Sequence, residues 1–298
     1  MKVLVLGNWT DVSGMFVEWV KQSQDGTGGW NQIQLVKSIP FDVLVVINGL
    51  YDWKPLEYYH YIKEKHPNVL IYYFSMEPYF SHPTLVEWEN FIPPDPTRWF
   101  HYTHSRTHNL GQWHLSLSYS SLLEHHPVNK FDLVSSIQSQ KNHDEGHKRR
   151  LEFCNLLDTT GRLDMYGSYG SHLKNYKGQL PWLQKEGGLL PYKYHFAAEN
   201  NRKVGYITEK LLDGILCECL VFYYGAPNVL DYVPADAIVL VSLEDLEADK
   251  ALVEQAIQED WWSKRLPAIR EAKKFILEKY QFFPHLEGLL GNNLDSLE

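Results

Sequence analysis

The pattern that most constrains the fold is a short apolar run, repeated along the chain, that ends in a turn. The runs Val3–Leu6, Phe41–Ile47 and Val69–Phe74 are apolar over nearly their whole lengths, and Gly7-Asn8 and Asn48-Gly49 follow the first two. Strands without polar alternation are buried on both faces, which is typical of parallel sheets covered by helices. We therefore expect the first half of the chain to be a doubly wound α/β unit.

The second half of the chain repeats this alternation. Apolar spacing predicts a helix over Pro55–Lys65 in the first half. In the second half it predicts strands at Phe131–Ile137, Leu163–Gly167, Tyr194–Ala198, Cys219–Gly225 and Ile238–Val241, and helices at Glu145–Leu157, from Thr208, at Asp249–Gln258 and at Leu266–Tyr280. The proline-broken segment His125–Lys130 separates the halves.

These elements predict two Rossmann-like, doubly wound domains that face each other across a cleft. We expect an N-terminal domain at 1–128 and a C-terminal domain at 129–265, with the C-terminal helix of 266–298 packing back on the first domain. In open α/β sheets, ligands bind at the carboxyl ends of the strands. The loops after Phe74, Ala198 and Tyr224 are therefore the predicted ligand-binding loops.

Length and charge exclude several classes of function. The 298 residues include 37 acidic and 28 basic side chains, which give a formal net charge of −9. Nucleic acid is excluded as a general partner, because its binding needs a basic face. The first apolar run is too short for a signal peptide, and no run approaches the roughly 20 residues that span a bilayer. We expect a cytoplasmic protein, microbial or in the host cytosol if viral, or one that touches membranes only peripherally, with three reduced cysteines.

Signatures of the common cofactors are missing from the sequence. It has no GxGxxG or GxxxxGK[ST] loop, so a nicotinamide or P-loop nucleotide site has no support. Two groups of histidines suggest a metal site. His101, His104 and His108 lie close together in the sequence, and the segment His143–His147 resembles a zinc helix. The acids within that segment do not follow the required His-Glu-x-x-His order. No Asp-x-Asp pair is present to hold a divalent ion against a pyrophosphate. We therefore expect no cofactor and no obligatory metal, with side-chain cations neutralising any pyrophosphate.

A lysine at the start of a predicted helix is the strongest local signal. Thr208 is a good N-cap, so Lys210 falls in the first turn, where the helix dipole favours an anion. A solvated lysine is the simpler interpretation, because the dipole costs only a few tenths of a kcal/mol. The neighbouring residues favour a phosphate site instead, since a helix N-terminus binds phosphate through its free N–H groups. The polar residues placed around this helix start are Glu199, Asn200, Tyr206, Thr208 and Glu209.

Four motifs in the second half occur together in a recognisable order. They are Tyr192–Asn201, Gly205–Lys210, Gly225–Pro227 and Tyr232–Ala237. Their order and spacing over Phe131–Val241 resemble the donor-binding core of the α-1,3-fucosyltransferases, glycosyltransferase family 10. The resemblance implies a GT-B architecture in which the C-terminal domain binds the nucleotide sugar. It also implies inverting transfer of L-fucose from GDP-fucose to a glycan hydroxyl.

The resemblance assigns roles to individual residues. Arg150 falls where the family keeps an arginine that contacts the donor phosphates, and with Lys210 it would stabilise the charge on the departing diphosphate. Tyr206 would orient the donor near its phosphates. Glu77, in the segment Phe74–Pro78, resembles the glutamate that is taken as the family's catalytic base. Without the resemblance, an exposed acid at the end of a strand is the simpler interpretation of Glu77. The residues that would line the nucleotide pocket are Glu199, Asn200, Thr208 and Glu209.

Two departures from the family leave the donor sugar open. The family's phenylalanine before Glu-Asn is Ala198 here, and its following serine is Asn201. A smaller side chain could admit another hexose or a pentose. The alternatives are therefore a transferase with a UDP- or GDP-linked pentose or deoxyhexose, or a non-catalytic glycan-binding protein on the same scaffold. The expected partners are a nucleotide-sugar donor and a glycan acceptor, and the acceptor's identity is not implied.

Overall fold

The computed structural model describes residues 1–103, 111–143 and 145–295, which divide into two compact units. The first unit contains residues 1–110 and 279–298, and the second contains residues 111–278. The sequence placed the divisions at 128/129 and 265/266, so the second unit starts earlier and ends later than expected. The early start has a physical reason, because the His114 backbone N–H donates to the Asp213 carboxylate at 2.8 Å and ties this segment to the second unit.

The first unit is built on a sheet that has six strands in the described part of the chain. These are β1 (Lys2–Gly7), β2 (Gly29–Trp30), β3 (Ile33–Val36), β4 (Val43–Ile47), β5 (Leu70–Phe74) and β6 (Trp99–Tyr102). Their order is β2-β3-β1-β4-β5-β6, and all neighbours are parallel except β2 and β3. β4 and β5 are buried along their whole lengths, which confirms the strands predicted from continuous apolar runs.

Before the second unit, the described residues form three helices: α1 (Val12–Val20), α2 (Pro55–Lys65) and α3 (Pro83–Glu89). The Asp11 side chain caps α1 by accepting the Gly14 N–H at 2.8 Å. Helix α2 covers the predicted range, begins at a proline and buries Tyr59 and Ile62. The apolar spacing therefore predicted this helix correctly, although Leu56, which shares that spacing, is exposed.

The second unit contains a parallel sheet, for which the described residues again supply six strands. They are β7 (Phe131–Ile137), β8 (Leu163–Tyr166), β9 (Tyr176–Gly178), β10 (Tyr192–Ala198), β11 (Leu220–Tyr224) and β12 (Ile238–Leu240). Their order is β12-β11-β10-β7-β8-β9, with β10 and β7 at the centre. The five strands predicted here are confirmed to within a few residues.

The helices of the second unit include the one that starts at the predicted cap. They are α4 (Tyr119–Glu124), α5 (Glu145–Asp158), α6 (Glu209–Leu216), α7 (Leu246–Gln258) and α8 (Trp261–Phe275). The Thr208 side chain accepts the Lys210 N–H, as an N-cap should, and α6 buries Leu211 and Ile215. A short 3₁₀ turn at Lys185–Gly188 lies before β10.

The last helix, α9 (Phe282–Asp295), belongs to the first unit. The Phe282 ring lies 4.5 Å from that of Trp19, and the Gln22 and Gln281 side chains are hydrogen bonded at 3.2 Å. No described helix combines the length and the apolar character that crossing a membrane requires. The three cysteines, Cys154, Cys217 and Cys219, are buried free thiols, as predicted.

Candidate functional site

The end of strand β10 is joined to the start of helix α6 through Glu199 and Thr208. Glu199 is fully buried, and its carboxylate accepts the Thr208 backbone N–H at 2.8 Å and the Thr208 hydroxyl at 2.7 Å. The Lys210 ammonium lies 3.4 Å from the same carboxylate. Burial raises the pKa of Glu199, against the opposing effect of Lys210. Glu199 therefore fixes the helix start from inside the protein.

Lys210 meets two carboxylates of its own chain at the positive end of the helix. Its Nζ lies 3.3 Å from Glu209 Oε1 and 3.4 Å from Glu199 Oε2, and it donates to Thr208 Oγ1 at 3.1 Å. Burial favours the neutral amine, but Glu209 and Glu199 outweigh burial and raise the pKa of Lys210. Its side chain is 23% exposed. Lys210 is therefore a charged group that is still open to solvent.

A second lysine, which the sequence did not single out, contacts Glu209 from another element. The Lys185 ammonium lies 3.5 Å from Glu209 Oε1 and 3.1 Å from Asp213 Oδ2. The His114 ring nitrogen Nδ1 lies 4.0 Å from Glu209 Oε1. Burial alone would raise the pKa of Glu209, but Lys210, Lys185 and His114 together hold it well below its usual value. Glu209 is therefore a stable anion at the helix start.

Arg150 lies on α5 and is 2% exposed. Its Nη1 donates to Asn200 Oδ1 at 2.9 Å and its Nη2 to Ser139 Oγ at 3.2 Å, whereas its buried Nε has no hydrogen-bond partner among the described residues. A buried donor without a partner costs about 1–3 kcal/mol. Burial lowers the pKa of Arg150. The positive charge of Arg150 opposes the effect of the two glutamates on Lys210, whose pKa is raised nevertheless. Arg150 and Lys210 therefore both lie in the second unit, on α5 and α6.

Glycines allow the backbone of this region to pack closely. A Cβ on Gly146 of α5 would lie 2.6 Å from the Asn200 carbonyl oxygen, and one on Gly225 would lie 2.6 Å from Glu199 Cγ. Neither contact is possible for a real side chain, so both positions require glycine. Tyr206, which follows Gly205 in the left-handed region at φ +73°, is 2% exposed. The phenol of Tyr206 is therefore held within the second unit.

The structure places Glu77 in the first unit, exposed in the loop that follows β5. The Met76 backbone N–H donates to Asn48 Oδ1 at 2.7 Å, and Asn48 is fully buried with a φ of 61°. The Ser75 hydroxyl donates to the Glu77 carbonyl at 3.5 Å. The predicted position beyond the carboxyl end of a parallel strand is confirmed, and the loop is anchored to the neighbouring strand end.

The histidines that suggested a metal lie partly outside the described residues. His101 is buried, its ring stacks on Tyr73 at 4.3 Å, and its Nε2 lies 3.0 Å from the Glu89 carbonyl oxygen. His104, His108 and Asp144 lie outside the described residues. Within the described ranges, no group of three or more His, Cys, Asp or Glu side chains is arranged to hold an ion.

Sequence comparison identifies the region that contains these cations. Residues 128–258 match the model of glycosyltransferase family 10 (fucosyltransferase), C-terminal part. A putative fucosyltransferase-like protein of Arabidopsis thaliana is 31% identical over 94 residues, which are 31% of this chain and 17% of that protein. The chain therefore matches less than a fifth of that curated relative. Arg150 and Lys210 lie within the matched region, and Glu77 lies outside it.

Two solved structures resemble the fold over nearly the whole chain. A crystal structure of an α1,3-fucosyltransferase with GDP-fucose is 15% identical, with a TM-score of 0.50, and the match covers 94% of this chain and 92% of that one. Anabaena Alr3699/HepE, in complex with UDP-glucose, is 10% identical, with a TM-score of 0.57 and coverage of 99% and 100%. These similarities confirm the predicted α/β fold of GT-B type and, with the family match, the predicted glycosyltransferase domain.

Proposed function

Because residues 128–258 match the model of glycosyltransferase family 10, we propose that the chain is an inverting transferase that moves L-fucose from GDP-fucose to a glycan hydroxyl. The similarity in fold to the α1,3-fucosyltransferase solved with GDP-fucose supports the donor class. Ala198, which stands where the family has phenylalanine, lines a pocket together with Lys185 and Lys210.

The observation that carries the proposal is the pair of cations formed by Arg150 on α5 and Lys210 in the first turn of α6. Sugar transfer from a nucleotide diphosphate leaves negative charge on the departing oxygen, and fixed cations stabilise that charge. The buried Nε of Arg150 lacks a partner among the described residues, and Lys210 retains an exposed side. A diphosphate placed at the helix N-terminus would accept hydrogen bonds from both groups.

The remaining polar residues would organise this donor site. Glu199 is fully buried and bonded to Thr208, so we assign both residues to holding the helix start rather than to contacting the nucleotide. Asn200 orients the Arg150 guanidinium through their 2.9 Å hydrogen bond. The Glu209 carboxylate would accept hydrogen bonds from the ribose or sugar hydroxyls, and the Tyr206 phenol would orient the donor near its phosphates.

Glu77 is the proposed catalytic base. Its carboxylate would take the proton from the acceptor hydroxyl, whose oxygen forms the new bond to the sugar's anomeric carbon. The bond between that carbon and the diphosphate breaks on the opposite face, so the configuration inverts and the nucleoside diphosphate leaves with the electron pair. The exposure of Glu77 and its place after β5 support this role.

We also propose that transfer needs no resident metal ion. In metal-dependent transferases a divalent cation neutralises the diphosphate. Here the two side-chain cations would supply that charge, and the acids nearest to them, Glu199 and Glu209, already pair with Lys210. EDTA should therefore leave donor binding and transfer unchanged.

A related donor is the second candidate function. The structure solved with UDP-glucose is similar in fold, with a TM-score of 0.57, as is the α1,3-fucosyltransferase, with 0.50, and this supports a UDP-linked donor as the alternative. A UDP- or GDP-linked pentose or deoxyhexose would use the same diphosphate site, with a different fit around Ala198 and Asn201.

A thermal-shift panel would test the proposal directly. Melting is measured with GDP, UDP and their sugars, with and without EDTA, and each stabilising donor then enters a transfer assay on glycan acceptors. Stabilisation by GDP and GDP-fucose, followed by transfer, is the expected result. Stabilisation by UDP alone would contradict the fucose assignment. Stabilisation by no nucleotide would contradict the transferase, whereas glycan binding alone would identify a glycan-binding protein.

A further inference from the structure

We propose that Lys185, anchored by Asp213, is a positioning residue that fixes the orientation and the charge of the Glu209 carboxylate at the start of α6. The inference rests on the proposed function, in which Glu209 faces the donor. It adds a residue from outside the helix on which that site is built.

The geometry shows a lysine that bridges two acids on one helix. Glu209 and Asp213 are four residues apart on α6 and so lie on the same face, one turn apart. The Lys185 ammonium lies 3.5 Å from Glu209 Oε1 and 3.1 Å from Asp213 Oδ2. Because Lys185 comes from the 3₁₀ turn before β10, it ties the first turn of α6 to a separate element.

The lysine itself is held in place by the segment around His114. The Lys185 backbone N–H donates to the His114 carbonyl at 3.2 Å, and the His114 N–H donates to Asp213 Oδ1 at 2.8 Å. The next residue in the turn, Glu186, accepts the Ser116 N–H at 3.0 Å. The backbone of Lys185 and its counter-ion Asp213 are therefore fixed by the same short segment. A lysine held in this way can determine where its second partner, Glu209, points.

The charges around Glu209 show why Lys185 is needed in addition to Lys210. Lys210 divides its charge between Glu209 and Glu199, at 3.3 and 3.4 Å. Asp213 lies one turn from Glu209, and Lys185 is the cation placed between these two acids. Among the described residues, His114 also acts on Glu209, and Arg150 acts on Lys210. Removal of Lys185 would leave two acids facing each other with no cation between them, which favours protonation.

The first test measures Glu209 without requiring catalysis. The carboxyl carbons of glutamate are labelled with ¹³C, Glu209→Gln assigns the resonance, and the titration is followed by NMR in the wild type, Lys185→Met and Lys185→Arg. We expect Lys185→Met to move the Glu209 midpoint to higher pH and Lys185→Arg to restore it largely. An unchanged midpoint in Lys185→Met would overturn the proposal. If the wild type transfers no sugar, the proposed function fails, and this titration still decides the role of Lys185.

The second test separates positioning of Glu209 from direct contact with the donor. Transfer is measured for Lys185→Met, Glu209→Gln and the double variant. If Lys185 acts through Glu209, the effects of the two substitutions are coupled. Lys185→Met should then lower kcat/KM roughly tenfold in the wild type and hardly at all in the Glu209→Gln background. Equal losses in both backgrounds would show that Lys185 acts independently of Glu209, against the proposal.

Lys193→Met is the matched control for both tests. Lys193 also bridges two acids of the second unit, Asp132 at 2.7 Å and Asp260 at 3.3 Å, and its side chain is 16% exposed. It has no contact with Glu209 among its ion pairs. We expect Lys193→Met to leave both the Glu209 titration and the pH dependence of kcat/KM unchanged. A shift as large as that of Lys185→Met would mean that loss of any bridging lysine has the same effect, which overturns a specific role for Lys185.

Discussion

The carboxylate of Glu199 accepts two hydrogen bonds from Thr208, one from the backbone N–H at 2.8 Å and one from the hydroxyl at 2.7 Å. Glu199→Gln keeps the shape but supplies one acceptor oxygen in place of two and removes a charge that faces Lys210. Loss of a buried hydrogen bond to a charged group should lower the free energy of unfolding by about 1–3 kcal/mol. Urea denaturation measures the change, and Glu254→Gln on the exposed side of α7 is the control. Equal effects of the two substitutions would contradict this account.

Arg150→Lys should weaken the binding of GDP tenfold or more. The guanidinium contacts Asn200 through one nitrogen and Ser139 through another, and a lysine ammonium cannot reproduce that planar fork. Titration calorimetry with GDP measures the affinity. The neighbouring Arg149, which pairs with Glu145 at 2.9 Å, offers Arg149→Lys as a matched control that should bind GDP normally. Similar affinities of the two variants would remove Arg150 from the diphosphate site.

Glu77→Gln should abolish most of the transfer while leaving donor binding intact. The amide cannot take a proton, and general-base catalysis typically contributes about 10²–10⁴-fold. Transfer assays at saturating donor measure kcat, and calorimetry measures donor affinity separately. Glu64→Gln, at an exposed acid on α2 in the same unit, should behave as the wild type. A kcat for Glu77→Gln within twofold of the wild-type value would exclude Glu77 as the base.

His195 should make the second unit less stable in mild acid. It is 4% exposed and bonded to Ser135, and burial lowers its pKa to about 3. The unfolded chain therefore binds the proton first as the pH falls below about 6.5, which costs up to about 1.4 kcal/mol per pH unit until the folded pKa is reached. Asp213, whose pKa burial raises to about 6, acts in the opposite direction below that pH.

The test for His195 therefore compares how steeply the free energy of unfolding falls with pH in the wild type and in a variant. Denaturation at several pH values between 6.5 and 5 should show a steeper loss of stability in the wild type than in His195→Asn. His172→Asn, at an exposed histidine of the same unit, is the control. Identical slopes for the wild type and His195→Asn would contradict a buried neutral histidine.

Local sequence signals predicted the parts of the fold that depend on local patterns. The fully buried strands β4 and β5 and the helix α2 follow from apolar runs and helical spacing, and the start of α6 follows from the capping residue Thr208. The short strands β2 and β3 were not predicted, because two to four residues carry too little periodicity to distinguish a strand from a loop.

The sequence motifs pointed to the cations of the candidate site but not to Lys185, His114 and Asp213, which lie beside them. Arg150 and Lys210 were found through motifs, whereas the contact between His114 and Asp213 joins residues 99 positions apart and leaves no local pattern. Asp213 falls on the apolar face of α6, and a buried acid needs a partner. This position was the one local signal that could have pointed to the contact. The sequence also gave no sign that Glu199 is fully buried, since a strand-end glutamate is usually exposed.

The absence of a side chain at Gly146 limits where the Arg150 guanidinium can lie. The helix backbone touches the Asn200 carbonyl at this point, where even a methyl group would come within 2.6 Å. Arg150 is one turn further along α5, about 6 Å along its axis. A rigid helix passes a displacement at one turn on to the next, so Gly146→Ala would shift the guanidinium away from Asn200. The smallest residue of the helix thus sets how far the long arginine side chain extends toward Asn200.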